Sequence, residues 1–203
     1  MKINGTKMLL LKKLEIVLNG IFTIEDLAIL FPFKHTNTFY RDLRQFEKLN
    51  LLNRFCRGLY VSENYNLKYL SQKICEDSYI SFETILAESG KIGAYNPLVI
   101  RSVKLGKNRQ YEFKDTLIKH VSIDEKMYNF FEIQNGIKKA IPEKALIDCL
   151  YFQTKGMKFS FSLSEDIDIQ QFDIKKIQKI LSHYKNKKFI KYVQNILGLK
   201  NEI

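Results

Sequence analysis

In the first third of the chain, apolar positions recur with helical spacing three times. The segment TKMLLLKKLEIVLNG spaces Leu10, Leu11, Leu14, Val17 and Leu18 in this way and stops at Asn19-Gly20, a helix C-terminal signal. Thr23 is placed to cap a second helix, IEDLAILF, with Glu25 and Asp26 in the first turn, where the helix dipole favours negative charge. Pro32 ends that helix and PFKH reads as a turn. Thr36 or Thr38 can cap a third helix, FYRDLRQFEKL, in which Phe39, Leu43 and Phe46 form one apolar stripe. The opposite face holds Asn37, Arg41, Gln45 and Lys48, flanked by Arg44 and Thr38. Two short runs, LLNRF and LYVS, then read as strands joined by Cys56-Arg57-Gly58, with Gly58 making the turn.

The pattern is mixed beyond that hairpin. NLKYLSQKICED reads as a helix, and YISFETILAESG as a short strand or turn followed by a helix ending at Gly90. LVIRSVKL and RQYEFK alternate as strands around Gly106-Lys107-Asn108, and LIKHVSI is a further strand. Asn135-Gly136, inside FFEIQNGIKKAI, is the strongest short hairpin signal in the chain. PEKALIDCLYF opens with proline at a helix's first position and glutamate just after it. The last segment is amphipathic, with Ile174, Ile177, Ile180, Leu181 and Tyr184 on one face.

Helix, helix, turn, helix, hairpin is the order of a winged helix-turn-helix, whose third helix enters the DNA major groove. The expected fold class is therefore α+β. A winged helix-turn-helix over 1–64 is followed by a mixed α/β domain over 65–203. The second domain is expected to carry a small antiparallel sheet and C-terminal helices, ending in a basic helical tail over 174–201.

Charge sharpens this picture. The 203 residues carry a formal net charge of +11, which favours an anionic partner. Residues 1–64 hold ten Lys and Arg against six Asp and Glu, residues 174–201 hold eight lysines and no acid, and the stretch between is neutral. The expected DNA contacts are Arg41 and Gln45 on base edges, Asn37 and Thr38 assisting, and Arg44, Lys48, Arg54 and Arg57 on phosphates. Lys175, Lys176, Lys179, Lys187, Lys188 and Lys191 form a possible second basic surface, whose plainest reading is a solvated helix face. No apolar run is long enough to span a membrane, and the MLLL run is too short for a signal-peptide core and is followed by Lys12-Lys13. A cytoplasmic location is expected.

Other chemistry is poorly supported by spacing. Cys56 stands between Arg54 and Arg57, but a nucleophilic thiol needs a base, and no histidine is near in sequence. Cys56, Cys75 and Cys149 form no metal knuckle, and His35, His120 and His183 lack ligand spacing. Glu143 and Asp148 lie five apart, so they do not face one another on a helix; Glu143 suits the helix dipole and Asp148 a partly buried hydrogen-bonding role. Asp124-Glu125-Lys126 after a strand is the sharpest enzyme alternative, a metal-dependent nuclease. A protein-interaction adaptor without DNA binding is the other rival. No enzyme activity, metal or cofactor is expected.

Three segments carry a resemblance. FYRDLRQFEKLNLLNRFCRGLYV, YISFETILAESG and IPEKALIDCLYF are similar to segments of the AbiEi-type antitoxins of bacterial abortive-infection (type IV) toxin–antitoxin systems. The likeness covers most of the chain. It departs at Thr84-Ile85, where many members carry Ser-Ala, and holds only in type for the lysine-rich segment after Ile174. The resemblance implies an N-terminal winged helix that binds repeats in its own promoter. It also implies a C-terminal domain that neutralises a co-encoded nucleotidyltransferase-like toxin, directly or functionally.

Overall fold

The computed structural model describes residues 5–30, 36–93, 95–163 and 166–198. The chain divides into two compact units, 1–70 and 71–203, with the boundary between Leu70 and Ser71 of helix α4 (Leu67–Ile74). The fold is mixed α and β, with eight α-helices and nine strands among the described residues.

In the first unit, α1 (Gly5–Val17) leads into strand β1 (Ile21–Thr23), α2 (Ile24–Ala28), α3 (Asn37–Lys48) and the hairpin β2 (Asn53–Cys56) and β3 (Leu59–Val61). The buried stripe of α1 is Leu11 with Leu14 and Leu18 packed beside it. Leu10 and Val17, expected on that stripe, are exposed. Leu10 is turned out because four consecutive apolar residues in MLLL cannot share one face of a helix. Asn19 and Gly20 end the helix in the left-handed region, with φ of 53° and 73°. Gly20 is required by space as well: a Cβ there would meet Ser62 Oγ at 2.5 Å and Tyr65 Cα at 2.7 Å.

Strand β1 has only three residues, too few for alternation to register, and was not expected. It pairs with β3 through Phe22 and Tyr60, giving a three-stranded antiparallel sheet in the order β1-β3-β2. Thr23 then caps α2 in a capping box. Its hydroxyl accepts from the Asp26 N–H at 3.1 Å, and the Asp26 carboxylate accepts from the Thr23 N–H at 2.8 Å. The helix is shorter than IEDLAILF and ends at Ala28. Pro32, the PFKH turn and His35 lie outside the described residues. Thr36 is the cap of α3, accepting from the Phe39 N–H. Phe39, Leu43 and Phe46 are buried as the stripe predicts, in one core with Phe22, Leu27, Leu52 and Tyr60. An ion pair of 3.0 Å from Lys7 to the buried Asp42 ties α1 to α3.

The second unit contains β4 (Ser78–Ile80), α5 (Phe82–Glu88), β5 (Val99–Lys104), β6 (Arg109–Phe113), β7 (Thr116–Ser122), β8 (Phe131–Gln134), β9 (Ile137–Ala140), α6 (Pro142–Gln153), α7 (Ile174–Leu181) and α8 (Lys187–Ile196). Its sheet corrects the expectation of a small antiparallel one. Six strands lie in the order β6-β7-β5-β4-β9-β8, and the β5–β7 and β4–β9 pairs are parallel. The strands either side of Gly106-Lys107-Asn108 do not pair with each other: β7 lies between them, antiparallel to β6 and parallel to β5. A local pattern cannot show this, because parallel pairing joins segments distant in sequence. The β8–β9 hairpin does turn at Asn135-Gly136, both left-handed at 51° and 76°.

Helix α6 starts with Pro142 at its first turn and is buried continuously from Glu143 to Leu150. A helix covered on all sides is a central element, here packed by α5, α7 and α8. The Ile177, Ile180, Leu181 and Tyr184 face is buried as expected, with Ile174 half-buried.

His120 on β7 is fully buried, with Nε2 3.0 Å from Ser71 Oγ, which is in turn 2.9 Å from Ser102 Oγ. Burial, then the nearby Lys104, lowers the His120 pKa from 6.5 to about 4, against the opposing effect of the Ser71 backbone. The folded state thus holds the ring neutral, while the unfolded chain binds a proton below pH 6.5. This stability is complete above that pH and is lost as pH falls towards 4, amounting to about 3 kcal/mol. Urea unfolding of wild type and His120→Gln at pH 7 and pH 4 isolates the contribution. The wild type is expected to lose more stability than the variant between the two; equal losses would contradict the buried neutral ring.

Candidate nucleic-acid interface

The capping of α3 by Thr36 fixes which residues face outward. With Phe39, Leu43 and Phe46 buried, Asn37, Thr38, Arg41, Arg44 and Lys48 are exposed and Gln45 is half-buried. The Arg41 side chain is 65% exposed, its Nε 4.0 Å from the adjacent Asp42 carboxylate. Lys48 lies in the last turn, where a cation complements the helix dipole.

The hairpin supplies the second wall. Cys56 pairs with Leu59 across the Arg57-Gly58 turn, where Gly58 has φ of 80°. The register shifts between Arg54 and Cys56, a bulge that twists the strand end. Arg54 and Arg57 are both exposed. The structure brings three of the expected residues together: Arg44 from α3 and Arg54 and Arg57 from the hairpin line one cleft of about 270 Å³. Asn37, Thr38, Arg41, Gln45 and Lys48 are not part of its lining.

Tyr40, Glu47 and Tyr60 also line the cleft, with Ile24, Leu43 and Gly58, and were missed as site residues in the sequence. A signal was available: Tyr40, Arg44 and Glu47 fall at i, i+4 and i+7, a second face of α3 beside the apolar stripe. Burial, then the Glu47 charge, raises the Tyr60 pKa, with Arg54 opposing. Three guanidinium groups against one carboxylate leave the cleft cationic, and their planar donor forks suit phosphate oxygens.

Cys56 is not activated by its arginines. Burial raises its thiol above the ordinary value, and the lowering pull of Arg54 is the smaller effect. Its contact with the Arg57 carbonyl at 3.9 Å is local to the turn. Cys56→Ser is expected to change duplex DNA affinity by less than about twofold, within the ordinary scatter of surface substitutions. A fluorescence anisotropy titration checks this, and a large loss would return the thiol to the site.

In the second unit, two of the resembling segments meet in the core. Asp148 is fully buried and accepts from Lys144 Nζ at 2.6 Å, Ser81 Oγ at 2.8 Å and Tyr79 Oη at 3.1 Å. Lys144, also fully buried, donates to Tyr184 Oη at 3.2 Å. Tyr79 and Ser81 reach the same carboxylate because Ser81, one residue past β4, is still extended, and alternate residues of an extended chain share a face. Burial raises the Asp148 pKa despite Lys144 and the hydroxyl donors, so this pair is structural chemistry in a dry core. Asp148 is thus buried completely rather than partly. Glu143 is turned elsewhere and accepts from the Asp173 N–H at 3.2 Å.

Asp124, Glu125 and Lys126 are exposed, and the Asp124 carboxylate caps a short 3-10 helix (Glu125–Met127) by accepting from the Lys126 N–H. Among the described residues, no three of His, Cys, Asp and Glu gather as a metal site. Lys175, Lys176 and Lys179 on α7 and Lys187, Lys188 and Lys191 on α8 are all exposed, and residues 199–201 of the basic tail lie outside the described set. No helix among the described residues is long and apolar enough to cross a membrane.

No protein-family model matches the chain, and no curated protein matches it. Among solved structures, it is similar to the crystal structure of the RV2827C protein from Mycobacterium tuberculosis, with a TM-score of 0.65 and 10% sequence identity. The match covers 97% of this chain and 78% of that one. At this identity, what the two proteins share is a fold.

Proposed function

We propose that the first unit is a winged helix-turn-helix that binds double-stranded DNA, with α3 in the major groove and the β2–β3 hairpin as the wing. The observation that carries this reading is the convergence of Arg44, Arg54 and Arg57 on one cleft beside an exposed polar face of α3. Arg41 and Gln45 read base edges, Asn37 and Thr38 assist, and the three arginines with Lys48 hold phosphates. We further propose that the chain is a cytoplasmic autorepressor and antitoxin of the AbiEi type, which binds repeats in its own promoter. Its second unit neutralises a co-encoded nucleotidyltransferase-like toxin. That second role rests on the sequence resemblance.

Arg41→Ala is expected to cost about 1–3 kcal/mol on the promoter site and much less on random DNA, the mark of a lost base contact. Competition titrations with both duplexes measure it; equal losses would assign Arg41 to the phosphates. Co-expression with the neighbouring toxin tests the second role. The full chain is expected to restore growth, and failure to do so would remove the antitoxin assignment while leaving the DNA reading intact.

A further inference from the structure

The second unit holds a cavity of about 480 Å³ that takes no part in the DNA reading above. That volume lies within the usual range of small-molecule sites. Its walls come from the 3-10 turn at Glu125–Met127, the end of α6 and the segment joining α7 to α8. Tyr151, Tyr184 and Phe189 form the aromatic part, with ring centroids 5.0 to 5.5 Å apart. Tyr184 is held in place by the buried Lys144, so one ring of this trio is anchored to the Asp148 cluster.

Three lysines stand in the rest of the lining, beside Asp124 and the uncharged Met127, Thr154 and Asn186. Lys126, Lys155 and Lys185 are exposed, and among the described residues none of them has a carboxylate at ion-pair distance. The acid in the lining, Asp124, already accepts from the Lys126 N–H. Lys155 Nζ stands 4.9 Å from the Tyr151 ring centroid, so positive charge and aromatic surface are adjacent. The first N–H groups of α8 are taken by Asn186, which accepts from Lys188 and Phe189. The positive charge therefore comes from the lysines rather than from the helix start.

A cavity with aromatic walls and a lysine rim matches a ligand that is planar at one end and strongly anionic at the other. We propose that this cavity binds a nucleotide, its base against the Tyr151 and Phe189 rings and its phosphates among Lys126, Lys155 and Lys185. Stacking accepts any base, because every base has a π-face, so the phosphate end carries the charge requirement.

Isothermal titration of the full chain with ADP, adenosine and inorganic phosphate tests this. ADP is expected to bind, with adenosine and inorganic phosphate each at least tenfold weaker. The double variant Lys155→Glu/Lys185→Glu is expected to weaken ADP binding at least tenfold. Lys107→Glu, an exposed lysine outside the cavity lining, is expected to bind ADP as the wild type does. The substituted lysines are exposed, so a thermal melt like that of the wild type should accompany the loss. No heat with millimolar ADP, ADP binding undiminished in the double variant, or inorganic phosphate binding as tightly as ADP would each overturn the proposal. DNA is absent from this experiment, so its failure is separate from any failure of the DNA reading.

Discussion

Asp148→Ala is expected to destabilise the second unit by about 3–5 kcal/mol, because it leaves a fully buried ammonium without its carboxylate. The loss has a second part: Ser81 and Tyr79 hydroxyls that donate to Asp148 lose their acceptor in a dry core. The reverse substitution is milder. In Lys144→Met the carboxyl can take up a proton, a change burial already favours, and still accept from Ser81 and Tyr79. Calorimetric unfolding of both variants measures the asymmetry. Asp148→Ala within about 1 kcal/mol of wild type, the median worth of an exposed pair, would contradict a buried ionised pair.

Replacing Arg44, Arg54 and Arg57 together by alanine is expected to lower duplex DNA affinity on the order of a hundredfold or more at physiological salt. Hydrogen bonds to charged groups are worth about 1.5–3 kcal/mol each, and neighbouring losses are not additive. All three side chains are exposed, and a thermal melt of the variant like that of the wild type should accompany the loss. Anisotropy with a labelled duplex gives the ratio. A change of less than about threefold would place the DNA elsewhere on the chain.

The parts of the fold that were legible in the sequence are those set by local chemistry. Thr23 and Thr36 as caps, the Asn135-Gly136 and Arg57-Gly58 turns and Pro142 at the start of α6 each follow from one residue's preferences. The Phe39, Leu43 and Phe46 stripe follows from helical period alone, and with it the outward face of α3. What was not legible depends on distant partners. β1 is a strand only because β3 offers it hydrogen bonds, and β7 enters between β5 and β6 through parallel pairing. Lysine in PEKALID reads as a surface residue. Its burial follows from Asp148 one turn on and from Tyr184 far along the chain. The same limit applies at the candidate interface: the individual arginines could be named, but their meeting with Tyr40 and Tyr60 required the hairpin to fold against α3.

The salt dependence of DNA binding tests the central claim most directly. Each arginine on a phosphate releases counterions, so the slope of log K against log salt falls by about one for every such contact removed. Wild type and the Arg44→Ala/Arg54→Ala/Arg57→Ala variant should therefore differ in slope by about three. Equal slopes, or no DNA binding by the wild type at low salt, would contradict the account.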